Sequence, residues 1–111
     1  MNRQRIEELT NKHMRKAPIA DVVAEMVAQD VRWGEDRDQP SYMWDSILSE
    51  EVGEVNEASL LLWSITLGYK KGNISKHALE KNVEALRSEL VQVAAVSMQW
   101  IEALDRESLI K

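Results

Sequence analysis

Two short stretches put oxygen donors where an amphipathic helix would put apolar residues: Leu48-Ser49-Glu50-Glu51-Val52-Gly53-Glu54-Val55 and Leu86-Arg87-Ser88-Glu89-Leu90-Val91-Gln92-Val93. At about 100° per residue, Trp44, Ile47, Leu48, Val52, Val55, Ala58, Leu61 and Leu62 define one apolar arc, with Glu51 at its centre, Glu54 to one side and Glu50 at its edge. Leu86, Leu90, Val93, Val96, Trp100, Ile101 and Leu104 form a second stripe, and Glu89 belongs to it. A carboxylate turned toward a core is costly unless it is paired, protonated or bound to a cation. Side chains three or four residues apart are neighbours on a helix. Glu51 with Glu54, and Glu89 with Gln92, can therefore each hold one ion, and packing the two helices face to face would gather an oxygen-lined cup. Hard divalent cations such as magnesium prefer donors of this kind.

The plainer alternative is a solvated acidic face with Lys or Arg partners. It stays open for Glu50 and Glu57, and the position of Glu51 and Glu89 within apolar arcs argues against it for those two. Gln92 is a neutral oxygen donor on the same face as Glu89; it can ligate, hold a water or close a hydrogen bond. Histidine-based metal chemistry has little support. A di-iron bundle uses Glu-x-x-His pairs, but Thr10 and Ile74 stand three residues before His13 and His77, and no HExxH motif occurs.

Glu50-Glu51-x-x-Glu54 followed by Glu89-x-x-Gln92 resembles the EExxE…ExxD signature of the MazG-like, all-α nucleoside triphosphate pyrophosphohydrolases. The approaches Ile47-Leu48-Ser49 and Leu86-Arg87-Ser88, the segment Trp33-Gly34-Glu35 and the run from Glu89 to Val96 are similar to small phage and bacterial members. The resemblance covers about Asp30 to Asp105. Gln92 stands where the family has Asp, and the stretch from Val55 to Ser88 is longer than in compact members. The resemblance implies an all-α, four-to-five-helix bundle completed by dimerisation, as a homodimer or a dimer of dimers. It implies hydrolysis of a nucleoside triphosphate to monophosphate and pyrophosphate, serving to clear surplus or non-canonical nucleotides. Mg2+, with Mn2+ as substitute, would be held by Glu51, Glu54 and Glu89 with Gln92 at the fourth position, and Glu50 would orient the attacking water. Two rival readings are a catalytically inactive helical binding module and an enzyme like phosphoribosyl-ATP pyrophosphohydrolase.

The elements that must carry these groups are legible in the same pattern. Asn2 to Lys16 reads as a thin peripheral helix with Ile6, Leu9 and His13 at helical spacing, and Pro18 reads as the first residue of the next helix. Ile19, Val22, Val23, Met26, Val27 and Val31 predict a helix to about Trp33, ended by Gly34. A charged loop, Glu35 to Pro40, leads to a long helix over Ser41 to Leu67, whose exit is bracketed by Gly68 and Gly72. Asn73 or Ser75 can cap a last helix from Lys76 to about Leu104. The whole, residues 1–111, reads as one domain with a core over 19–105. Trp44, Trp63 and Trp100 read as core; Trp33, beside the charged loop, can pack or stack on a base. Lys70, Lys71 and Lys76 either complement helix ends or reach phosphates, with Lys70 and Lys71 the candidate substrate contacts.

Fourteen Lys and Arg against nineteen Asp and Glu give a net charge of -5, which argues against binding nucleic acid. It also means that a triphosphate meets this acidic cup only through a metal that reverses the local sign. With no cysteine, disulfides, thiolate metal sites and cysteine nucleophiles are excluded. The start has no apolar leader, and the longest apolar-rich run, Ala58 to Tyr69, is too short to span a bilayer, so a soluble, cytoplasmic protein is expected.

Overall fold

The computed structural model describes residues 2–107, apart from the side chains of residues 13 and 14. It is all-α: α1 (Arg3–Thr10), α2 (His13–Trp33), α3 (Ser41–Lys70) and α4 (Lys76–Glu107), with no strand among the described residues. Among the described residues no helix is long and apolar enough to cross a membrane.

The helix ends follow local chemistry, with two departures from the expected boundaries. Asn2 caps α1 by accepting the Arg5 backbone N–H at 2.8 Å, and the chain then breaks at Asn11-Lys12 rather than near Ala17. Pro18 consequently lies inside α2 and does not begin it. Near the start of a helix its missing N–H removes only one hydrogen bond, which the remaining turns of α2 outweigh. His13, expected beside Ile6 and Leu9, is instead the first residue of α2, and its side chain lies outside the described residues. The second departure is Gly68, which is interior to α3. The exit is made by Gly72, at φ 79°. Gly68 is needed there for another reason: a Cβ on it would come within 2.8 Å of Cγ1 of Ile74, where the chain folds back.

Gly34, at φ 99°, stops α2, and its N–H reaches the Asp30 carbonyl at 2.8 Å. Pro40 stands at the cap of α3 with extended backbone. Ser75 caps α4 by accepting the Ala78 N–H at 3.1 Å.

The central element is α4. The tight turn after α3 folds α4 back antiparallel along it, and α2 packs on another side of α4. Asp21 pairs with Arg87 at 2.7 Å, and Asp30 accepts from Gln99 at 3.3 Å, so α2 rises alongside α4 in the same direction. Among these helices α1 touches only α2. The closely packed core is small: Trp44, Val96 and Ala103 are buried, with Ile47, Leu48 and Trp100 packed against them. It sits where α3 begins and α4 ends. The loop between α2 and α3 closes over it, with the Arg37 guanidinium 5.2 Å from the Trp44 ring centroid. Arg106 of α4 fastens that loop by donating to the Arg37 carbonyl and pairing with Asp36.

Much of the apolar pattern is uncovered. Trp63, expected in the core, is 65% exposed, and Leu60 is 71% exposed. Val52, Leu90, Ile101 and Leu104 also belong to the predicted stripes but are exposed. Helical periodicity marks a face as apolar; part of that face has no neighbour among the described residues.

Candidate metal centre and adjoining cavity

Trp44, Ile47 and Leu48 anchor the start of α3 against the end of α4, so the next turn presents Glu51 and Glu54 to the middle of α4. Opposite them stands Glu89, two turns before the buried Val96. One carboxylate oxygen from each of Glu51, Glu54 and Glu89 lies within 4.8 Å of the others, and all three residues are half-buried. The packing of α3 on α4 thus brings carboxylates of the two acidic motifs together, while Gln92, the fourth donor expected in the cup, lines the adjoining cavity.

Its electrostatics are unfavourable without a cation. Among the described residues no Lys or Arg forms an ion pair with Glu50, Glu51, Glu54, Glu57 or Glu89. Oε2 of Glu51 and Oε2 of Glu89 are buried and accept no hydrogen bond from the described residues. Burial first, then the charge and proton-sharing contact of Glu54, push Glu51 up to about 7 from an ordinary 4.5; Glu89 and Glu50 add to this. Glu89 is raised by burial, by Glu54 and by Glu57. The donor set suits a hard divalent cation: clustered carboxylates with unsatisfied oxygens.

Glu50 and Glu57 are both exposed. Glu50 faces a cavity of about 530 Å³ that begins at Glu51 and extends under α2. Gln92 lines the same cavity, with Ile47 and Val96 as its apolar floor. The far wall is α2, which contributes Glu25, Gln29, Arg32 and Trp33, and the loop adds Arg37 and Gln39. Trp33 is 69% exposed at this wall, so it is not core.

Lys70 and Lys71 are not brought to this site. They are exposed at the opposite end of α3, with Lys70 about 24 Å from Glu54 at 1.5 Å per residue. Within one chain they do not meet a ligand held at the cup.

Of the α2 wall only Trp33 was foreseen. Glu25, Gln29, Arg32 and Trp33 fall at i, i+4, i+7 and i+8, and Gln29 is a buried polar residue on the helix face that carries Val22 and Met26. That buried polar residue was the available signal. Gln29 donates to Glu25 Oε1 at 3.1 Å, and Arg32 reaches the same oxygen at 3.4 Å. Arg37 and Gln39 carried no signal, since a loop has no periodicity.

Comparison of the chain with models of protein families, with curated proteins and with solved structures finds no match.

Proposed function

We propose that this chain is a divalent-cation-dependent nucleotide pyrophosphohydrolase of the MazG-like kind, acting as a homodimer. The observation that carries the reading is the convergence of Glu51, Glu54 and Glu89 from two helices, with a buried oxygen on Glu51 and one on Glu89 that no group among the described residues satisfies. Glu51, Glu54 and Glu89 would hold Mg2+, with the Gln92 amide on the neighbouring cavity wall at the family's fourth position. The cation supplies positive charge that offsets the triphosphate and stabilises charge developing at phosphorus.

The protein's own groups divide the remaining work. Glu50, exposed on the cavity, accepts a proton from the attacking water and orients it. Trp33 offers a flat face at the α2 wall, and the cavity accommodates the nucleoside portion beside the cup. Pairing of two copies covers the apolar surface that α3 and α4 leave open.

The test is a panel of ribo- and deoxyribonucleoside triphosphates with Mg2+, monitored for pyrophosphate. Pyrophosphate release that chelation abolishes is the expected result. Orthophosphate release would identify a different bond as the one cut. Gln92 in place of a fourth carboxylate favours one second reading, a binding module that keeps the cup and not the chemistry; nucleotide and Mg2+ binding without turnover would establish it.

A further inference from the structure

A polyphosphate held at the cup must also be met along the cavity beside it. That cavity has a volume of about 530 Å³, within the range of small-molecule sites, about 300–1,000 Å³. Three carboxylates line it, Glu25, Glu50 and Glu51, and they repel an anionic ligand wherever no cation intervenes. Among the described residues two cations line it as well, Arg32 and Arg37. Lys70 and Lys71 stand a helix length away.

The two arginines differ in what they can offer a ligand. The Arg37 guanidinium lies over Trp44, Nη2 donates to Gln99 Oε1 at 3.3 Å, and Nη1 is buried. Arg37 is committed to holding the loop. Arg32, in the last turn of α2, keeps 58% of its side chain exposed. Its one polar contact among the described residues runs from Nη2 to Glu25 Oε1 at 3.4 Å, whereas a guanidinium carries five N–H donors. An ion pair this long and this exposed is weak. Glu25 Oε1 also accepts from Gln29 Nε2 at 3.1 Å, so Glu25 keeps a partner when Arg32 turns to another anion. Guanidinium binds phosphate through two parallel N–H bonds, a stronger contact than the one it would give up.

We infer that Arg32 is the polyphosphate-binding residue of this cavity, its guanidinium taking phosphate oxygens that the metal in the cup leaves free. The inference rests on the proposed nucleotide reading and names the cation that fills the part expected of Lys70 and Lys71. Arg32 stands on the far wall, so an anion anchored at Glu51 and entering the cavity lies between a metal and a guanidinium. Glu25 competes with the phosphate for Arg32 and is no part of the contact.

The test is calorimetric titration of inorganic tripolyphosphate, which has no base to stack on Trp33, in the presence of Mg2+. It compares the wild-type protein with Arg32→Gln, Arg32→Lys and Glu25→Gln. Arg32→Gln is expected to lower tripolyphosphate affinity roughly tenfold or more, with Mg2+ affinity in the absence of polyphosphate unchanged. Arg32→Lys keeps the charge without the fork and should recover part of the loss. Glu25→Gln breaks the ion pair but leaves the cation, and should keep or raise the affinity. A loss in Glu25→Gln as large as in Arg32→Gln would mean that Arg32 acts only by holding Glu25, and overturns the inference. So does unchanged affinity in Arg32→Gln, an equal loss of Mg2+ affinity in that variant, or no binding of tripolyphosphate to the wild-type protein. The outcomes separate from those of hydrolysis. Arg32-dependent tripolyphosphate binding in a protein that releases no pyrophosphate keeps the contact and rejects the enzyme. Pyrophosphate release with an unchanged KM in Arg32→Gln keeps the enzyme and rejects the contact.

Discussion

Glu51 shows how one residue ties the fold to its chemistry. Its carboxyl titrates near 7 in the folded protein against an ordinary 4.5, chiefly through burial and Glu54. Below about pH 4.5 the group is protonated whether the chain is folded or not. Between 4.5 and 7 the folded state retains a proton that the unfolded state has lost, so stability falls as pH rises through that window. Thermal melts of the metal-free protein should therefore show a lower Tm at pH 8 than at pH 5.5, and Mg2+ should restore it at pH 8 by binding the folded state. Glu51→Gln should flatten this pH dependence. Discounted for partial solvent exposure, its gain at pH 8 is about 1 kcal/mol, or roughly 4 °C in Tm. The same variant, and Glu89→Gln, should lower Mg2+-dependent pyrophosphate release by roughly 100-fold or more. Wild-type turnover in either variant would reject the ligand assignment. Gln92→Asp adds a charged donor at the cavity wall beside the cup, and calorimetry should find Mg2+ bound roughly tenfold more tightly to the free protein. Unchanged affinity would show that Gln92 does not face the ion.

At the level of the helix, two glycines of α3 separate local propensity from tertiary contact. Both are interior to the helix, where glycine costs about 1 kcal/mol relative to alanine. Gly53 has open space where a Cβ would sit, so Gly53→Ala should stabilise the metal-free protein by about that amount. Gly68 faces Ile74 at a distance no methyl group tolerates, and Gly68→Ala should destabilise by about 1–3 kcal/mol. Urea unfolding of the two variants measures the contrast directly; the same sign for both would mean that the turn after α3 is looser than described. This contact is also why the predicted exit at Gly68 was early. Glycine was read there as a conformational stop, when its function is to let the turn approach.

The whole chain is more open than its length requires. Its radius of gyration is 17.5 Å, where a compact domain of this size would have about 13 Å. The difference comes from an open arrangement in which α2 and α3 each pack on α4 and not on one another, and from apolar side chains such as Leu60 and Trp63 that face outward. Pairing of two copies would cover this surface. Light scattering should give a mass of at least two chains at micromolar concentration, and Trp63→Lys should weaken the assembly by about 2 kcal/mol. A monomeric wild-type protein of unchanged helicity would exclude self-association as the cover.

Within the chain, what could be read directly is whatever depends on residues a few positions apart. Apolar recurrence at i, i+3 and i+4 sets the angle of each side chain about its own axis. That was enough to establish four helical stretches, the helix start at Pro40, Ser75 as one of two candidate caps, and the anomaly of Glu51 and Glu89 inside apolar arcs. An angle about one axis does not say which neighbour covers that face. Only the packing of α3 against α4 brought Glu89 within 4.8 Å of Glu51 and Glu54 and left Trp63 in the open. It also put Lys70 and Lys71 a helix length from the cup they were expected to serve. The cavity wall depended on packing most of all. Arg37 and Gln39 lie on a loop, where no period constrains the side chains, and Arg37 is placed by contacts to Trp44 and Gln99, distant in sequence.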